Sequence, residues 1–158
     1  MPTTGFAAHD HAQCRTDALN AAERLSAERG LRLTPVRRRV LEILLEGHKA
    51  QGAYDILGQL AREGLGSQPP VVYRALNFLL DLGLVHRIEK LNAYVACSHL
   101  GAEHVPAFLI CRACSSVAEA PAFPDRSLLD LTAEQTGFQI ETAVLEAEGL
   151  CPNCQSSS

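Results

Sequence analysis

Two Cys-x-x-Cys pairs, Cys111-Arg112-Ala113-Cys114 and Cys151-Pro152-Asn153-Cys154, constrain this chain more than any other feature. Each pair delivers two sulfurs from one tight turn. A tetrahedral structural zinc needs four thiolates, so the fold has only to bring the two turns together. The 36 residues between the pairs exceed the spacing of a simple zinc ribbon and leave room for a strand, a helix and a second strand. The ion would then staple the two ends of a small α/β unit. A closed four-sulfur site offers no open coordination position, which points to stabilisation by metal and away from metalloenzyme chemistry.

A redox pair and disulfides are the other readings of these cysteines. A redox pair places its first Cys at a helix N-terminus. Here Ala107-Phe108-Leu109-Ile110 precedes Cys111 and Ser115-Ser116-Val117 follows Cys114, which reads as strand, turn, strand. Disulfides belong to oxidising compartments. Met1 to Asp10 is polar and lacks the apolar core of a signal peptide, so a cytoplasmic location is expected.

The 158 residues, 47% of them hydrophobic, suffice for one moderate core or two small ones. No apolar run approaches the roughly 20 residues of a membrane span, and no membrane role is expected. The net charge of −4 is unevenly spread: residues 1–90 carry +2 and residues 91–158 carry −6. A slightly basic half followed by an acidic, Cys-bearing half suggests two modules with different partners. Overall acidity argues weakly against nucleic acid, yet Arg37-Arg38-Arg39 is a local basic run.

Residues 1–16 show no apolar period and are expected to be a disordered tail. Asp17 to Arg29 reads as a helix stopped by Gly30. Thr34 then offers an N-cap and Pro35 a first helical residue for a helix reaching about Leu45. Its three arginines cannot all share the buried stripe, so at least two must face solvent or a partner. Ala53 to Arg62 is a third amphipathic segment. A fourth follows Pro69-Pro70 and ends at Gly83, with Val72, Ala75, Leu76, Leu79 and Leu82 on one side and Pro70, Arg74, Asn77 and Asp81 opposite. Tyr73 lies at the margin. Such an outer face suits a DNA recognition helix, since Arg pairs with guanine and Asn with adenine in the major groove. It equally suits an ordinary polar surface. Val85 to Glu89, a turn near Asn92 and Ala93 to Cys97 then alternate like a hairpin, completing the helix-helix-helix-ribbon order of a winged helix.

His86, Cys97, His99, His104 and Glu119 form a second group of possible ligands across the junction of the two modules. His86, Cys97, His104 and Glu119 together would give two nitrogens, a sulfur and an oxygen, a set that suits four-coordinate zinc. The thiolate makes iron(II) or manganese less suitable. Composition does not choose this quartet over packing roles for each residue.

Several motifs are together familiar. Leu33-Thr34-Pro35-Val36-Arg37, Gly52-Ala53-Tyr54-Asp55-Ile56-Leu57, Pro69 to Leu76 and Gly83 to Glu89 resemble the ferric uptake regulator family. Asn92 to Cys97 followed by Phe108 to Cys114 is similar to its zinc uptake regulator branch. The resemblance covers about residues 17–154. It implies an α+β fold: a winged-helix DNA-binding domain over residues 17–97, then a small α/β dimerisation domain over residues 98–154 with a structural four-Cys zinc site, and a tail at 155–158. Structural zinc would fall to Cys111, Cys114, Cys151 and Cys154, and regulatory zinc to His86, Cys97, His104 and Glu119, about two ions per subunit. Tyr54, Tyr73 and Arg74 would contact DNA, joined by Asn77 and Arg37. The implied function is zinc-dependent repression of zinc-uptake genes by a homodimer on palindromic operator DNA, with no enzymatic activity and no small-molecule substrate. Alternatives are a family member sensing iron, manganese or peroxide, and a non-DNA-binding zinc-storage or redox protein. Departures from the family pattern are Ser115, where Gly usually follows the knuckle, and Ser98-His99-Leu100-Gly101 in place of a His-rich stretch. His9, His11 and Cys14 could form a weak extra metal site.

Overall fold

The structure, a computed structural model, describes residues 6, 10–47, 49–98, 100, 105–120 and 127–156. Four helices come first: α1 (His11–Glu28), α2 (Pro35–Leu45), α3 (Ala53–Arg62) and α4 (Pro69–Asp81). At the start of α2 the Thr34 hydroxyl accepts the Arg37 N–H at 3.4 Å, and Pro35 has no N–H to leave unpaired. Helix α1 begins six residues earlier than expected, so residues 11–16 are helix rather than tail. The Asp10 side chain accepts from the N–H groups of Ala12 and Gln13, a cap that works without any apolar period in the first turns.

The buried faces follow the helical period. Val40, Leu41, Ile43 and Leu44 of α2 meet Ile56 and Leu60 of α3 and Leu76 and Leu79 of α4 in one core. On α4, Tyr73, Arg74 and Asn77 stay exposed on the other side. Gly83 ends α4 in the left-handed region at φ 72°, where its N–H donates to Leu80 O and the Leu84 N–H to Leu79 O, both at 3.0 Å. That reversal delivers the chain into β1 (Val85–Ile88), which pairs antiparallel with β2 (Ala93–Ala96). Three helices and this wing follow the expected winged-helix order.

The C-terminal module holds β3 (Ala107–Cys111), β4 (Val117–Glu119), α5 (Ser127–Thr136), β5 (Leu145–Gly149) and a single turn, α6 (Pro152–Gln155). Its sheet runs β4-β3-β5, with β3 antiparallel to β4 and parallel to β5. The strand, helix and strand expected between the Cys pairs are therefore β4, α5 and β5.

The two modules are packed together along the wing. Ile88 and Val95 from the wing bury against Phe108, Ile110 and Val117 from the sheet. The loop after α2 adds short bridges, Gln51 to Tyr94 and Lys49 to Ser116. This second core is small, and it spans the junction.

Candidate metal centres and nucleic-acid interface

Parallel pairing sets Cys111 opposite Gly149, so the chain leaving β5 reaches Cys151 beside the Cys111 turn. The Arg112 N–H donates to Gly149 O at 2.9 Å, and the Cys151 N–H to Cys111 Sγ at 3.4 Å. Cys114 Sγ and Cys151 Sγ lie 3.8 Å apart, and the four ligand sulfurs all fall within 4.8 Å of one another. Bonds of about 2.3 Å to zinc give a tetrahedron with edges of about 3.8 Å, whereas a disulfide requires about 2.05 Å. All four are free cysteines. The donor set fits zinc.

The local field prepares this cluster unevenly. The backbone N–H of Cys151, and then that of Cys114, pull the Cys111 thiol down to about 6. The Ser116 hydroxyl, 3.1 Å away, lowers Cys114. Hydrogen bonding to Cys151 and then Cys114 pushes Cys154 up to about 12. The local field thus favours the charged form at Cys111 and disfavours it at Cys154. Zinc loading must expel protons, and tightens as pH rises.

Ser115 closes the first knuckle at φ 61°, a left-handed conformation, with its N–H on Cys111 O at 2.9 Å. A Cβ is disfavoured there. Ser115→Gly is expected to stabilise the chain by about 1 kcal/mol. Urea unfolding checks this: the midpoint should rise with an unchanged slope, and a fall would show that the serine side chain makes a compensating contact.

A second cluster forms at the junction. Antiparallel register sets Val85 opposite Ala96, which brings His86 and Cys97 to the same end of the wing. Glu119 ends β4 and reaches them from the other module. His86 Nε2 lies 3.3 Å from Glu119 Oε1, and Cys97 Sγ 3.9 Å from the same oxygen. Tetrahedral zinc with ordinary bond lengths predicts edges of about 3.3 Å and 3.6 Å for these pairs. Cys97 and Glu119 are buried, at 5% and 3% exposure. Glu119 Oε2 accepts the Ser98 N–H at 2.8 Å, which turns Oε1 toward His86 and Cys97. The His86 ring stands edge-on to Phe108, with centroids 5.6 Å apart.

Three of the four expected regulatory ligands are therefore together. His104, the fourth, lies outside the described residues, as do His9 and His99 and the side chain of His11. Cys14 lines a cavity of about 30 Å³ beside Cys97 and Glu119. Burial, and then Asp17, push its thiol up. Neither the orienting Ser98 N–H nor the proximity of Cys14 carries any signal in the sequence.

On the helical side, Tyr54 projects from α3 at 71% exposure, and Tyr73 from α4 at 39%. Arg74 and Asn77 share the outer face of α4. The basic run of α2 is largely spent within the fold. Arg39 forks onto Glu63, with Nε–Oε2 and Nη2–Oε1 both 2.8 Å, and this pairing holds the Glu63 carboxyl below its ordinary range. Arg38 pairs with Glu23 and Glu42. The Arg37 guanidinium covers the Phe78 ring at 3.8 Å and donates to Arg32 O at 2.7 Å. It therefore borders the outer face of α4, where Phe78 follows Arg74 by one turn.

The sequence profile of the ferric uptake regulator family matches residues 28–148. The chain belongs to this family. It is 40% identical over 140 residues to the zinc uptake regulation protein of Escherichia coli K12, covering 87% of this chain and 81% of that protein. A zinc uptake regulator complexed with zinc and DNA superposes with a TM-score of 0.85 at 38% identity, covering 90% of this chain and 96% of its own. Holo XcZur gives 0.76 at 41% identity, covering 89% and 98%, and apo XcZur 0.50 at 43%, covering 90% and 99%.

Proposed function

We propose that this chain is a zinc-responsive transcriptional repressor that binds palindromic operator DNA as a zinc-loaded homodimer and shuts off zinc-uptake genes in the cytoplasm. It is a regulator and not an enzyme. One observation carries the reading: His86 and Cys97 of the wing and Glu119 of β4 converge on one point across the junction of the two modules. Membership of the family and likeness to a zinc uptake regulator held on DNA support it. No helix among the described residues is long and apolar enough to cross a membrane.

Zinc bound by these side chains, with His104, would supply a cross-link between the reading head and the pairing half. The residues do the rest. Cys97 is anchored by its N–H on Leu84 O at 2.9 Å, at the start of the wing that α4 feeds. Holding the wing therefore holds α4. Leu128, at 81% exposure, Leu131, Phe138 and Leu145 leave apolar side chains exposed on α5, after it and on β5, which is an edge strand of its sheet. A second copy covers such a surface by an isologous contact. In that dimer the angle between modules sets the spacing of the two α4 helices, which must match half-sites about 34 Å apart. Zinc then acts through its preference for one arrangement, and apparent DNA affinity tracks the fraction of molecules in it.

The test is fluorescence anisotropy with a palindromic operator from a zinc-uptake promoter, with zinc and with chelator, alongside metal analysis. Zinc-dependent binding and about two zinc ions per subunit, one resisting mild chelation, are expected. Failure to bind any such promoter with zinc present would sink the proposal. Arg74→Ala is expected to weaken operator binding about tenfold or more and relax preference at one base position. Uniform weakening over all sequences would instead make Arg74 a phosphate contact.

A further inference from the structure

We propose that Glu146 is a positioning residue that latches the wing tip to the dimerisation module and thereby sets how much zinc the repressor needs. This inference rests on the zinc-repressor reading above. The wing turn at Glu89 to Asn92 is closed by the Asn92 N–H on Glu89 O at 3.2 Å, with Asn92 in the left-handed region at φ 46°. Strand pairing ends at Ile88 and Ala93, which leaves the N–H groups of Glu89 and Lys90 outside the ladder. Both are taken by one carboxylate from the other module. The Glu89 N–H donates to Glu146 Oε1 at 2.6 Å, and the Lys90 N–H to Glu146 Oε2 at 3.0 Å. Successive turn N–H groups make a concavity for an anion, and here a side chain of β5 fills it. Lys90 Nζ adds an ion pair with Glu148 Oε1 at 3.2 Å. Glu146 and Glu148 are two residues apart on β5 and so present to the same face of the sheet.

The wing is thus fastened at two places. His86 belongs to the metal cluster at one end of β1, and Glu89 to the latch just past the other end. Three strand residues span about 10 Å. A single attachment is a pivot, about which the reading head can still turn. A second attachment about 10 Å away confines that rotation to the axis through the two points. Between the two, Ile88 and Val95 pack on Phe108, Ile110 and Val117. The latch needs no metal. It therefore raises the fraction of zinc-free molecules already in the DNA-competent arrangement, which lowers the zinc concentration required to complete the shift.

The test uses the full chain as native protein, Glu146→Ala and Glu146→Gln. Zinc affinity of the exchangeable site is measured by chelator competition, operator affinity by anisotropy with and without zinc, and dimerisation by sedimentation. Glu146→Ala is expected to weaken both zinc binding and zinc-free operator binding about tenfold, the size of one or two charge-assisted hydrogen bonds at a wet surface. The gain in operator affinity on adding zinc should grow, because zinc then carries the whole shift. Glu146→Gln keeps one acceptor oxygen and should recover part of the loss. Glu146→Ala with native zinc affinity and native zinc-free operator affinity overturns the latch. So does a loss that follows dimer dissociation alone and leaves the zinc-induced gain unchanged. If the repressor reading itself were wrong, native protein would fail to bind operator with zinc, while the zinc-affinity shift of Glu146→Ala would still report on the latch.

Discussion

Cys151→Ser is expected to abolish the C-terminal fold, the dimer and tight operator binding together. The described core around Phe108, Ile110 and Val117 is small, and it leans on Ile88 and Val95 from the neighbouring module. A domain of this size has only about 5–15 kcal/mol of net stability. The apparent free energy of a structural zinc is about 10–16 kcal/mol in zinc-finger peptides near neutral pH, and in such modules binding energy is folding energy. Cys151 is buried, sits at the first position of the second knuckle, and sends its N–H onto Cys111 Sγ. A serine hydroxyl in its place leaves three thiolates around a poorly held ion. With the sheet lost, Glu119 no longer reaches the wing, so the regulatory site fails too. Sedimentation should show monomer, circular dichroism should lose strand signal while keeping the helices, and metal analysis should find little tightly held zinc. A Cys151→Ser protein that remained a dimer with about two zinc ions per subunit would show that the knuckle is dispensable.

Cys97→Ser is expected to lower operator affinity in zinc roughly 100-fold, toward the value in chelator, within the ordinary range of coupling between two binding sites. Dimerisation and one tightly held zinc should survive, because Cys97 lies outside the knuckle. The buried sulfur, 3.9 Å from Glu119 Oε1, is the soft member of the cluster, and a hydroxyl is a far weaker zinc ligand. The outcome separates readings. A member that senses iron, manganese or peroxide through nitrogen and oxygen ligands would keep its response in Cys97→Ser. Retention of native zinc-dependent operator binding in this variant would remove Cys97 from the regulatory site. Reciprocity adds an independent check, since operator DNA should tighten zinc binding in native protein by the same factor that zinc tightens operator binding.

How far the sequence could be read depended on the range of each signal. The start of α2 rests on Thr34 and Pro35, and the end of α4 on Gly83, so both were visible within a few residues. The beginning of α1 was missed because the Asp10 cap acts ahead of a polar stretch in which no apolar period marks the helix. The arginine run was legible as charge but not as use. Which of the three would pair internally depended on where Glu63 and Phe78 came to lie after the helices packed.

The order of helices, wing and Cys knuckles, and the apolar faces of those helices, can be read locally along the chain. These follow from caps, turns and periodicity, which act over one or two turns of chain. The meeting of Glu119 with Cys97 across 22 residues, and of Glu146 with Glu89 across 57, comes from the packing of the whole fold. Those meetings depend on how the two modules are rotated against each other about the core they share. That rotation is fixed by side-chain contacts at the junction, and no local preference of the backbone encodes it.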